Sequence, residues 1–251
     1  MHRYFEVNGN GHNIRCKLYY SDLKKIRRCV LFCHGFGGHK DNSAAEKFSQ
    51  RLLTKHPGCV LVTFNWPAHG DDVKKKLSLS DCGEYLKLVT DFVSEKYAPE
   101  GLDCYATSFG GYLTLKYISE HGNPFRHIAL RCPAVHMYDV FTKAIIGPEE
   151  QALLEKGKEI SAGFDRKVLI PRSFLEDLQR NDIRKLDFLD YAEDIRIIHG
   201  TADEIVPYED VRAFAEEQLM EFESVTGADH RFRHPGTMEA AIKSILEFFD
   251  L

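Results

Sequence analysis

The stretch Leu102-Asp103-Cys104-Tyr105-Ala106-Thr107-Ser108-Phe109-Gly110-Gly111 decides how the chain is read. An apolar run of strand length ends in small residues, and Tyr112, Leu113, Lys116 and Tyr117 continue it with helical spacing. Ser108 therefore falls on a strand-to-helix turn. There the start of the helix presents unbonded backbone N–H groups, and its dipole favours developing negative charge. Thr107, Ser108 and Gly110 also fit a simpler role as a helix N-cap and a close strand–helix contact. The remainder of the chain has to separate the two.

Upstream, Val30-Leu31-Phe32-Cys33-His34-Gly35-Phe36-Gly37-Gly38 ends a second apolar strand in a glycine-rich turn. A phosphate cradle is a poor reading of it, because no Gly-Lys-Ser/Thr follows and the Gly-x-Gly-x-x-Gly spacing is missing. Downstream, Ile195-Arg196-Ile197-Ile198-His199-Gly200-Thr201-Ala202-Asp203-Glu204-Ile205-Val206-Pro207 is a strand, a small-residue turn carrying an acid, and a proline that opens a helix. Finally, Phe222-Glu223-Ser224-Val225-Thr226-Gly227-Ala228-Asp229-His230-Arg231-Phe232 gives a strand and then a histidine in a loop ahead of the last helix.

These segments together resemble the α/β-hydrolase family of serine hydrolases, whose nucleophile elbow is written Gly-x-Ser-x-Gly; here Ala106 stands for the first glycine. The resemblance implies a triad of Ser108 as nucleophile, Asp203 as acid and His230 as base, in the family's chain order. It also implies an oxyanion hole made by the backbone N–H groups of Phe36 and Phe109, with the His34 side chain supporting the turn. Glu204 is expected to point elsewhere, and His234 near Pro235 is the competitor for the base. A serine nucleophile argues against dehalogenases and epoxide hydrolases of the same fold.

Around these motifs the chain alternates strands and helices. Tyr4 to Val7 and Ile14 to Tyr20 flank Asn8-Gly9-Asn10-Gly11 and predict an antiparallel hairpin. Buried strands are predicted at Cys29 to Cys33, Cys59 to Phe64, Leu102 to Ala106, Ile128 to Cys132 and Ile195 to Ile198, which implies a mainly parallel sheet. Two helical stripes, Cys82-Tyr85-Leu86-Val89-Val93 and Met238-Ala241-Ile242-Ile245-Leu246-Phe249, should pack on its faces. The expected fold is α/β, an α/β-hydrolase as one domain over 1–251 with a small cap inserted at about 134–190.

The sequence of 251 residues carries a formal net charge of −5, with acidic and basic residues mixed along its length, which excludes a phosphate-backbone stripe and nucleic acid as partner. No apolar run reaches bilayer-spanning length, and the N-terminus lacks a signal-peptide pattern, so a cytoplasmic protein without membrane partner is expected. Seven cysteines, among them Cys16, Cys29, Cys33, Cys59, Cys104 and Cys132 mostly in strand-like runs, read as reduced buried thiols rather than metal ligands.

The Asn65-Trp66-Pro67-Ala68-His69-Gly70 loop and the short cap look most like small cinnamoyl or feruloyl esterases and serine-aminopeptidase-like relatives. The expected reaction is hydrolysis of a small-molecule carboxylic ester through an acyl-enzyme, with no metal or cofactor, by a monomer or homodimer. Trp66, Met137, Tyr138 and Phe141 are candidate substrate contacts beside Phe36 and Phe109, and Arg131 and Arg172 are candidates for an acidic substrate group. Peptidase, thioesterase, acyltransferase and a non-catalytic ligand-binding homologue remain as alternatives.

Overall fold

The computed structural model describes residues 1–72, 75–163 and 166–251. Strands β1 (His2–Gly9) and β2 (His12–Tyr20) pair antiparallel with Gly9 opposite His12, leaving a two-residue turn of Asn10 and Gly11. Both turn residues have positive φ, 49° and 79°, which is the geometry an Asn-Gly hairpin supplies.

Six more strands complete an eight-stranded sheet: β3 (Arg28–Cys33), β4 (Cys59–Phe64), β5 (Leu102–Thr107), β6 (Ile128–Arg131), β9 (Ile195–Gly200) and β10 (Glu221–Val225). The order is β1-β2-β4-β3-β5-β6-β9-β10; β1 and β2 are antiparallel additions, and every pair from β4 onward is parallel. The central strands β3, β4, β5 and β6 are buried at every position, as near-continuous apolar runs covered on both faces require.

Helices α1 (Ser43–Lys55), α2 (Leu79–Tyr97) and α3 (Phe109–His121) connect the first parallel strands. The segment between β6 and β9 carries α4 (Met137–Val140), a π-turn at Phe141–Ile145, α5 (Pro148–Glu155), and α6 (Arg172–Arg180). It also holds a two-stranded antiparallel sheet, β7 (Ile160–Ala162) and β8 (Val168–Ile170). Phe164 and Asp165, within the expected cap range, lie outside the described residues. Helix α7 (Tyr208–Glu217) links β9 to β10, and α8 (Thr237–Phe248) ends the chain.

Two apolar layers sandwich the sheet. One holds the buried faces of α2, α3 and α7 together with the 137–183 segment, and the other those of α1 and α8. Both predicted stripes are buried throughout, Cys82 to Val93 on the first side and Met238 to Phe249 on the second. The α/β-hydrolase architecture read from the sequence is thus the one observed. The parallel strands point their C-terminal ends to one edge, where the loops after β3, β5, β9 and β10 meet.

Candidate active site

The turn between β5 and α3 holds Ser108 at φ 52°, ψ −117°, a conformation costly for any residue with a side chain. Neighbouring glycine makes it possible: a Cβ on Gly110 would lie 2.2 Å from the Cys33 carbonyl oxygen, so strand β3 and helix α3 touch at backbone distance. Ala106 is buried within β5, opposite Cys33 on one side and Leu130 on the other. Although Ser108 precedes the helix as an N-cap does, its hydroxyl makes no capping hydrogen bond.

That hydroxyl instead lies 3.0 Å from His230 Nε2, while His230 Nδ1 is 2.8 Å from Asp203 Oδ2. With the Nδ1 proton facing Asp203, Nε2 is left to accept from the serine. The Asp203 carboxylate is saturated with donors. Its Oδ1 accepts the backbone N–H groups of Ile205 and Val206 at 2.9 and 2.8 Å, and its Oδ2 is also approached by His199 Nε2 at 3.2 Å. Burial pushes this carboxyl up, but the hydrogen bonds from His199 and His230 and the charge of His230 override it and hold Asp203 well below the ordinary carboxylate range. His234 lies on the surface, its backbone carbonyl accepting from Thr237.

On the facing side, the turn after β3 brings Gly35 against Ser108, where an added Cβ would sit 3.2 Å from the serine Cβ. The backbone N–H groups of Phe36 and Phe109 bond to no acceptor among the described residues. His34 is wholly buried: its Nδ1 contacts the Gly35 carbonyl at 2.8 Å, and its own carbonyl accepts the Trp66 indole N–H at 2.8 Å. Burial, and then the neighbouring His69, push the His34 ring well below the usual histidine range, so it stays neutral and braces the turn.

A cavity of about 550 Å³ opens over these groups, lined by Gly35, Phe36, Ser108, Ile145, Ile205 and His230. Trp66, Met137, Tyr138 and Phe141, expected as substrate contacts, are not on its wall. Trp66 packs on Phe64 and His34, and Phe141 is a fully buried contact of Phe36 and Phe174. Large aromatics near the cap serve the core, because their area is worth more there. Arg172 pairs with Glu176 on the exposed face of α6, whereas Arg131 does line the cavity. Glu204 departs from expectation as well: it is on the cavity wall and accepts the His230 backbone N–H at 3.1 Å.

Among the described residues, Cys132, Asp203 and His230 form a group whose potential metal-ligating atoms lie within 4.8 Å of one another. Burial drives the Cys132 thiol far up and so keeps it protonated, and a hydrogen bond already spans the Asp203–His230 contact, so these atoms suit proton sharing better than a cation. No described helix is long and apolar enough to cross a membrane.

The chain is 29% identical over 186 residues to monoacylglycerol lipase abhd6-A of Xenopus laevis, a match covering 71% of this chain and 49% of that protein, so it spans about half the length of that relative. Est1E from Butyrivibrio proteoclasticus, solved with ferulic acid bound, superposes with TM-score 0.77 at 16% identity over 98% of this chain and 100% of the other. Mouse alpha/beta hydrolase domain-containing protein 10 superposes with TM-score 0.69 at 16% identity, covering 99% and 98%. At such identities these likenesses show the fold. Residues 65–251 match the model of the prolyl oligopeptidase family, Peptidase S9, a span containing Ser108, Asp203 and His230. The chain belongs to the prolyl oligopeptidase family, within the serine hydrolases of the α/β-hydrolase fold.

Proposed function

We propose that the protein hydrolyses a carboxylic ester of a small acyl or aromatic acid, with Ser108, His230 and Asp203 as its triad. The observation that carries this reading is the unbroken contact from the Ser108 hydroxyl through His230 to Asp203, 3.0 and 2.8 Å, at the floor of an open cavity. His230 Nε2 takes the serine proton as Oγ attacks the carbonyl, and Asp203 stabilises the imidazolium that forms. The Phe36 and Phe109 N–H groups receive the oxyanion; such preoriented donors are worth on the order of 3 kcal/mol each in the barrier. His230 then protonates the departing alkoxide, and water clears the acyl-enzyme by the same steps in reverse.

An ester as the bond cleaved is supported by the monoacylglycerol lipase relative and by the ferulic acid bound to the similarly folded Est1E. Residues 134–190 are read as the cap, contributing Ile145 to the cavity. Seven unpaired, buried cysteines fit a reducing, cytosolic setting. Stoichiometric labelling by a fluorophosphonate, lost in Ser108→Ala and His230→Ala, together with turnover of p-nitrophenyl and hydroxycinnamate esters, is the expected result. A wild-type protein that takes no label would overturn the reading. The family match favours a peptidase as the second reading. Cleavage of aminoacyl p-nitroanilides without ester turnover would put it first.

A further inference from the structure

We propose that the cavity beside Ser108 takes a substrate carrying a carboxylate or phosphate, and that Arg131 is the residue that binds this anion. The inference rests on the serine-hydrolase reading above and adds the charge of the substrate to it.

Arg131 ends β6, immediately beside the nucleophile turn, and its carbonyl accepts the Ser108 backbone N–H at 3.0 Å. Its side chain runs into the layer between the sheet and α8, with the guanidinium 5.0 Å over the Phe232 ring. Only 7% of the residue is exposed, yet no carboxylate among the described residues lies within ion-pair range of it. Nη1 reaches the Arg231 carbonyl at 3.5 Å and Met238 Sδ at 3.7 Å, both long, and Nε has no partner. The neutral Tyr105 hydroxyl is buried beside the guanidinium and feels its charge, but it brings no counter-charge.

The same fold shows what a structural arginine at this depth looks like. Arg28 is 8% exposed and also has an unbonded Nε, but its Nη2 is 2.6 Å from both the Asp103 carboxylate and the Phe249 carbonyl. The ring and carbonyl contacts offset part of the cost of burying this cation, and an anion arriving beside it would supply the missing counter-charge. Arg131 is the one facing the cavity.

The rest of that wall adds further hydrogen-bond donors. Asn42, Ser43 and Ala44 bring the N-terminus of the 13-residue helix α1 to the cavity. The Asn42 side chain accepts from Ala44 and Ala45, while the exposed Ser43 hydroxyl makes no bond among the described residues. Arg231 and Arg233 stand at the rim. The carboxylate on the wall, Glu204, is engaged by the His230 backbone N–H and by Arg233, which also pairs with Asp229. A cavity wall that gathers an arginine and a helix N-terminus beside the nucleophile matches an oxyanion group on the substrate rather than an apolar one.

The test compares esters matched in shape but not in charge. Mono-4-nitrophenyl succinate against 4-nitrophenyl 4-oxopentanoate places the carboxylate on the acyl side; 4-butyryloxybenzoate against 4-acetylphenyl butyrate places it on the leaving group. With spontaneous hydrolysis subtracted, kcat/KM should favour the anionic member of one pair by about tenfold or more. That ratio should collapse in Arg131→Met and be partly kept in Arg131→Lys. Because each ratio is internal to one variant, a general loss of activity cancels. Should Arg131→Met fail to fold, wild-type protein still decides: inorganic phosphate should raise KM for 4-nitrophenyl butyrate without lowering kcat. Neutral-ester turnover and fluorophosphonate labelling with neither an anionic preference nor phosphate competition would overturn this inference alone. A preference that survives in folded Arg131→Met would also overturn it. Absence of labelling would remove the parent reading instead.

Discussion

At the scale of single residues, the carboxylate of Asp203 is held by more donors than a triad needs. His199 is wholly buried on β9, and its Nε2 faces both Asp203 Oδ2 at 3.2 Å and the Val206 carbonyl at 3.1 Å. With the proton on Nε2, Nδ1 is left without a partner, as observed. His199 therefore positions the acid from behind while His230 works in front. His199→Phe removes one donor to a buried charge, and the expected cost is about 1.5–3 kcal/mol of stability, read as a lower urea midpoint. His199→Gln, which keeps an N–H donor, should recover part of that loss. An unchanged midpoint in His199→Phe would show that the contact carries no weight.

At the scale of elements, the nucleophile turn depends on α3 lying against β3 at Gly110. A methyl there would come within 2.2 Å of the Cys33 carbonyl oxygen, a backbone atom that cannot step aside. Gly110→Ala is expected to cost on the order of 1–3 kcal/mol or more and to lower the thermal midpoint. Retention of both midpoint and labelling would mean the two elements can part freely. Elements of this kind were readable from sequence because period and punctuation agreed: Asn10-Gly11 marked the hairpin, and the Cys82 and Met238 stripes marked α2 and α8. The β7–β8 pair was not readable, since three-residue runs such as Ile160-Ser161-Ala162 carry no usable period. Ser108, His230 and Asp203 stood out through their resemblance to the α/β-hydrolase motifs, and the structure brings the three side chains into contact. The cavity wall did not stand out, because it gathers Asn42, Arg131, Ile145 and Glu204 from separate loops, and sequence alone cannot tell a pocket aromatic from a core one such as Trp66.

For the whole molecule, acid should weaken the fold by a definite route. His34 and His69 are buried neutral, His34 held well below the ordinary histidine range and His69 pushed down to about 4, both chiefly by burial. In the unfolded chain both titrate near 6.5. Below that pH the unfolded state binds protons the folded state refuses, so stability is complete above about 6.5 and falls as pH is lowered toward 4. His69 alone accounts for about 3 kcal/mol across that window. Asp203, whose folded value is depressed, adds a further loss only at more acid pH, as the unfolded carboxyl begins to protonate. Urea midpoints from pH 7.5 to 4.5 should drop accordingly, less steeply in His69→Phe; a flat series would refute the route. The seven cysteines offer a way to watch the fold give way. All are buried, and burial raises the thiols of Cys16, Cys29, Cys59, Cys82, Cys104 and Cys132. None of these sulfurs meets a reagent as a thiolate while the layers are closed. Iodoacetamide should thus modify the native protein only through transient opening, all cysteines of one molecule together, so that intact mass shifts between none and seven carbamidomethyl groups with few species between. The fold would carry its own clock for spontaneous unfolding, read by alkylation.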